Sequence, residues 1–121
     1  MSLFVQVVIN RPVEGPFDYS VPQELEARVK IGSRVRINFA GRKCVGYIVG
    51  LNNESKIENL KPVIALIDDS PILSSKMLLF TRRLSEYYCC SWGEMIETAL
   101  PQEIRMGRPA TVAMADRPAS F

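Results

Sequence analysis

The stretch Arg34-Val35-Arg36-Ile37-Asn38-Phe39 alternates polar and apolar residues without a break. No other part of the chain constrains the fold as much. Successive side chains of a strand point to opposite faces. The pattern therefore predicts a strand with Val35, Ile37 and Phe39 on a buried face and Arg34, Arg36 and Asn38 on the other. Lys30-Ile31-Gly32 reads as the turn before it and Ala40-Gly41-Arg42-Lys43 as the hairpin tip after it. Cys44 to Leu51 returns as the partner strand. Gly46 and Gly50 mark a bulge, a bend or a close backbone approach there.

Other strands surround this hairpin. Phe4 to Ile9 is a β-rich apolar run, stopped by Asn10-Arg11-Pro12. Gly15-Pro16 signals a turn, and Phe17 to Val21 is a short strand closed by Pro22. Gln23 to Val29 reads as a turn or loop, and Asn52 to Asn59 as a polar loop. Leu60 to Ile67 is a further apolar strand, with Pro62 placed as an edge or a strand beginning requires. From Asp68 the period changes. Ser74 or Ser75 suits an N-cap. Lys76 to Tyr88 has helical spacing, with Met77, Phe80, Leu84, Tyr87 and Tyr88 near one face. After a break at Cys89 to Ser91, Trp92 to Leu100 forms a second helical piece that Pro101 stops. The residues from Met106 have no apolar period and read as a linker or tail. The expected architecture is mainly β with α: a small antiparallel β-barrel or curled sheet, followed by a C-terminal helical pair that caps one open end. The β part spans about 3–67 and the helical part about 74–100, within one domain of 1–105; 106–121 is the tail.

Composition excludes several classes of function. There is no histidine, hence no histidine-dependent nucleophile and no HExxH metal site. No GxxxxGK[ST] occurs to cradle a triphosphate. Three cysteines, Cys44, Cys89 and Cys90, give no disulfide framework and no CxxC; free thiols and no structural zinc are expected. No run of eighteen apolar residues exists to span a membrane. The N-terminus lacks a basic leader and a cleavage site, which leaves the cytoplasm as the expected compartment. No catalytic residue and no cofactor is assigned to this chain.

Binding chemistry remains. Net charge is +2, yet Arg28, Lys30, Arg34, Arg36, Arg42 and Lys43 follow one another with no acidic residue between them. Such a stripe fits a phosphate backbone or a solvated strand face. Phe17 and Tyr19 offer stacking surfaces or core, and Asp18 between them is a ligand contact or a solvent-facing residue opposite its neighbours. Ala40, Gly41, Arg42 and Lys43 at the tip present backbone groups and two cations. Lys61 is a contact or a guard on a strand edge.

The order FDYSVP, KIGSRVRINFAGRKCVGYIVGL, LKPVIALIDDSPIL, LSEYYCCSWGEMIETALP resembles the N-terminal domain of the PriA family, the bacterial replication-restart helicases, from about Phe4 to Arg108. The resemblance implies a DNA-binding domain that holds the 3′-hydroxyl end of a nascent leading strand at a stalled fork, without base preference. It places Phe17, Asp18, the residue after Phe39 and Lys61 around the terminal nucleotide. Asp18 would accept a hydrogen bond from the 3′-hydroxyl and repel a 3′-phosphate. The family usually has FG at the strand end, where this chain has Phe39-Ala40-Gly41; either Ala40 keeps the conformation or Gly41 takes it over. ATP, magnesium and structural zinc would belong to regions outside this chain. Implied partners are fork DNA, the helicase core, and primosome or single-strand-binding proteins. Two other readings use the same residues: a protein-interaction barrel, and a general single-strand-binding barrel.

Overall fold

The computed structural model describes residues 3–53, 60–68 and 70–100. The expected tail from Met106, the Pro101 stop and most of the polar loop after Asn53 lie outside them. Strands β1 (Phe4–Ile9), β2 (Phe17–Ser20), β3 (Arg34–Phe39), β4 (Arg42–Asn52) and β5 (Ala65–Leu66) precede helices α1 (Ser75–Tyr88) and α2 (Trp92–Ala99). All strand pairs are antiparallel, in the order β2-β1-β4-β3-β5.

The sheet curls but does not close. Its edges, β2 and β5, are not paired; the segment before β5 reaches across instead. Ser20 N–H donates to the Lys61 carbonyl at 3.1 Å, and Val63 N–H donates to the Ser20 carbonyl at 2.9 Å. Farther on, Ile64 and Ile67 donate to the carbonyls of Arg36 and Arg34. The stretch expected to be one strand from Leu60 to Ile67 therefore has only two residues of regular strand. The rest divides its hydrogen bonds between the two edges. The anticipated irregularity of β4 falls where the register with β1 shifts between Gln6 and Val7, opposite Gly50 and Ile48. Gln23–Leu25, expected as turn or loop, makes one 3-10 turn.

Period two gives the sheet two apolar faces. Val5, Val7, Ile9, Val35, Ile37 and Ile48 fill the inside of the curl with Tyr19, Val21 and Val63. Val8 and Tyr47 pack on the other face against Leu78, Ile96 and Leu100 of the helical segment. The helices thus cover the second face of β1 and β4 rather than capping an open end. Close approach is possible because the first turn of α2 carries Gly93: a Cβ there would lie 1.8 Å from the Ile9 carbonyl oxygen. Tyr47 donates a hydrogen bond to the Glu97 carboxylate across the same contact. Ser74 caps α1, and Ser91 with Glu94 forms a reciprocal capping box on α2.

Two expectations need correction. Helix α1 buries Leu78, Thr81 and Ser85, not the Phe80–Leu84–Tyr87 side. Phe80 is 55% exposed, Tyr87 79% and Tyr88 64%. The buried hydroxyls donate to their own helix, Thr81 Oγ1 to the Met77 carbonyl at 2.7 Å and Ser85 Oγ to the Arg82 carbonyl at 2.6 Å, and Thr81 Oγ1 also accepts from Trp92 Nε1 at 3.1 Å. Second, Arg34 does not belong to an exposed basic stripe. Its side chain and that of Asp68 are 1% and 2% exposed. They form a two-pronged pair, Nε to Oδ2 at 2.8 Å and NH2 to Oδ1 at 2.9 Å, and the Arg34 amide donates to Oδ2 as well.

Removing one member of such a pair strands a buried charge. Asp68→Ala is expected to cost about 3–5 kcal/mol of folding stability, while the double change Arg34→Met with Asp68→Leu recovers most of it. Urea unfolding of the parent chain and the two variants checks this; a double variant no better than Asp68→Ala would contradict it.

Candidate nucleic-acid interface

A recess of about 350 Å³ opens where the curl is incomplete, a size within the range of roughly 300–1,000 Å³ common for ligand clefts. Phe17, Asp18 and Tyr19 of β2 form one wall, Asn38, Phe39 and Ala40 another, and Leu60 and Lys61 a third, with Pro16 beside them. The wall from β2 belongs to one edge of the sheet. Lys61 joins it because its carbonyl accepts from Ser20. Phe17 and Phe39 meet across the recess with ring centroids 5.0 Å apart, tilted by 57°. Asp18 is half-buried and Lys61 is exposed; among the described residues they are the two charged side chains of the lining.

Tyr19 is a core residue that also contributes to this wall. It is buried, and its hydroxyl donates to the Asn38 carbonyl at 3.0 Å. Burial raises its phenol above the ordinary value, and the neighbouring Cys44 adds to the rise. Burial also pushes the Cys44 thiol up, against a smaller lowering by Arg11. All three cysteines are free thiols. Among the described residues no cluster of three metal-ligating side chains forms.

The hairpin tip is tighter than the sequence suggests. Phe39 pairs with Arg42, so the turn is Ala40-Gly41 alone, and Arg42 and Lys43 already belong to β4. Ala40 has φ 51° and Gly41 φ 82°. Positive φ at both central residues is what a two-residue hairpin of type I′ requires. Ala40 thus takes the left-handed conformation itself and lines the recess, at a backbone cost that glycine would not incur. Gly41, Arg42 and Lys43 lie outside the lining. Sequence reasoning did not select Pro16, Asn38, Phe39 and Leu60 as contacts. The alternation put Asn38 on the face opposite Phe39, and Leu60 follows a loop whose course no local pattern encodes.

A larger groove, about 910 Å³, runs between the β1–β2 connection and the helices. Its lining carries Glu14, Glu86 and Glu94 against Arg82, and Arg82 also stacks over the Trp92 ring at 5.4 Å. Three carboxylates make it a poor seat for a phosphate. The smaller recess is the better candidate for a nucleotide.

Residues 6–101 match the 3′ DNA-binding domain (3′BD) of PriA. The chain belongs to the PriA 3′ DNA-binding domain family. Among relatives of this family, the replication restart protein PriA of Bacillus subtilis (strain 168) is 28% identical over 88 residues, covering 69% of this chain and 11% of that protein. PriA of Chlamydia pneumoniae is 28% identical over 99 residues, 82% of this chain and 13% of that protein. PriA of Haemophilus influenzae (strain ATCC 51907 / DSM 11121 / KW20 / Rd) is 27% identical over 108 residues, 88% and 14%. The chain therefore spans a small fraction of the relatives' length, and what it matches is a DNA-binding domain rather than an enzyme. Among the described residues no helix is long and apolar enough to cross a membrane.

Two measurements test the local physics of the PriA-type recess. Ala40→Gly relieves the left-handed strain and should raise stability by up to about 1 kcal/mol after the added chain entropy of glycine; a lower urea midpoint would contradict it. Tyr19 predicts an alkaline weakening. Its raised value favours the folded state's neutral phenol, so the contribution is complete below the ordinary tyrosine value of about 10. It is lost as pH climbs from there through the raised value, because the unfolded chain ionises first. Unfolding midpoints across that window should fall more steeply in the parent chain than in Tyr19→Phe.

Proposed function

We propose that the domain holds the terminal nucleotide of a nascent leading strand at a stalled replication fork. It recognises the free 3′-hydroxyl without reading the base, as part of a PriA-type ATP-dependent helicase that restarts replication through primosome assembly. The observation that carries this reading is the recess that unites Asp18, Ala40 and Lys61 around the Phe17–Phe39 pair. An aromatic wall accepts any base, since every base has a π face. The Asp18 carboxylate accepts a hydrogen bond from a hydroxyl and repels a phosphate. Lys61 supplies a cation toward the nucleotide's own phosphate. A cytoplasmic setting, and cooperation with a helicase core, primosome proteins or single-strand-binding proteins, belong to the same proposal. So does the expectation that ATP, magnesium and structural zinc act outside this chain.

One observation favours a second reading, a protein-docking module: the exposed Phe80, Tyr87 and Tyr88 of α1. Binding to matched single strands separates the two. A strand ending in 3′-hydroxyl should bind about 10–100-fold more tightly than the same strand ending in 3′-phosphate, the range of a charge-assisted hydrogen bond of about 1.5–3 kcal/mol. Asp18→Ala should erase that difference while salt-dependent backbone binding persists. Equal affinity of the parent chain for both ends would discard the 3′-end reading in favour of general single-strand binding, and no measurable binding of either strand would leave the docking module.

A further inference from the structure

The cations of hairpin β3–β4 have separate fates. Arg34 is locked to Asp68. Arg36, Arg42 and Lys43 are exposed, and no carboxylate among the described residues pairs with them. The register places these three in space. Arg42 stands opposite Phe39, whose ring lines the recess, so Arg42 flanks the recess on the inner side of the tip. Lys43 stands opposite Asn38, and Arg36 opposite Val45. Directly paired residues share a face, which makes Arg36 and Lys43 diagonal neighbours on the second face, roughly 7–8 Å apart.

That part of the second face is free of the helices. They cover Val8 and Tyr47, with Val49 against them, nearer the middle of β4. No aromatic residue of β3 or β4 shares the open part of this face with Arg36 and Lys43, so it offers charge without a stacking surface. Only Ala40 and Gly41 separate Phe39 from Arg42, and Ala40 is itself a wall of the recess. A strand leaving the recess over this two-residue tip meets Arg42 first, then Lys43, then Arg36. At about 3.3 Å per residue the run from the tip back to Arg36 is roughly 13 Å.

We propose that this edge is a phosphate track. Arg42, Lys43 and Arg36 hold the sugar-phosphate backbone of the nucleotides immediately 5′ of the one seated in the recess. The inference rests on the 3′-end reading, which fixes where the strand terminates. It adds a second, sequence-independent site, and with it Arg36, a residue outside the recess altogether. Contacts here are to phosphates, and each one neutralised releases counterions.

The test uses 3′-hydroxyl oligonucleotides of increasing length, from a dinucleotide upward, titrated at several salt concentrations against the parent chain and an Arg36→Gln/Lys43→Gln double variant. In the parent chain affinity should rise over the first few added nucleotides and then level off. The double variant should lose that gain, and its slope of log affinity against log salt should be shallower by about 0.7 per lost phosphate contact, about 1.4 in all. Its preference for 3′-hydroxyl over 3′-phosphate should stay as in the parent chain. Both side chains are exposed, and a thermal melt confirms that the variant is folded. An unchanged slope, or a shallower slope with the length dependence intact, overturns the track. Failure of the underlying reading shows elsewhere, as equal binding of the two ends by the parent chain.

Discussion

The buried pair of Arg34 and Asp68 decides where much of the rest can lie. An ion pair removed from water stabilises little by itself, since desolvation offsets most of the attraction. What it does is forbid alternatives: any arrangement that separates the two leaves a charge in an apolar interior. The pair fixes the start of β3 to the end of the 60–68 segment that contains β5. That segment is tied at its other end to Ser20 of β2. Lys61 is therefore carried between two anchors, one on each edge of the sheet, and the recess inherits its third wall from that span.

The parts legible in the sequence were those governed by local periodicity. Strand β3 has the predicted bounds because period two runs through it without exception. The cap of α1 follows from serine placement, whereas the capping box of Ser91 and Glu94 on α2 is seen only in the structure. Arg34 was misread for the same reason that β3 was read correctly. Alternation assigns a side of the strand, and a partner 34 residues away decides whether that side meets water. The face of α1 differs from the expected one because apolar spacing alone does not say which side of a helix is buried. Thr81 and Ser85 satisfy their hydroxyls on the helix's own carbonyls and can be buried without cost to their hydrogen bonding, whereas Phe80 and Tyr87 remain outside.

The candidate site was legible in a different way. Asp18 and Lys61 were singled out by chemical type and by the resemblance, and the fold brings them into one lining. Periodicity alone placed Asp18 opposite Phe17 and Tyr19. All three nevertheless line the recess, because β2 is an edge strand and the recess lies along that edge. Phe39 escaped notice as a contact because its pattern marked it as core, which it partly is. The tip was the reverse case. Four residues were expected in the turn, and the pairing of Phe39 with Arg42 leaves two. That turns Arg42 and Lys43 from loop residues into strand residues with defined sides.

The incomplete curl has a mechanical consequence. A closed barrel would set the recess in a continuous wall of hydrogen bonds. Here the walls stand on opposite margins of one sheet, stitched near Ser20 by two backbone hydrogen bonds, to Lys61 and from Val63. The recess straddles a seam. Its width is set by that stitching, by the contact of Phe17 with Phe39 and by the Tyr19 hydroxyl, which reaches from the core to the Asn38 carbonyl. A guest that touches both margins acts as a clasp: the same contacts that hold it also hold the seam shut.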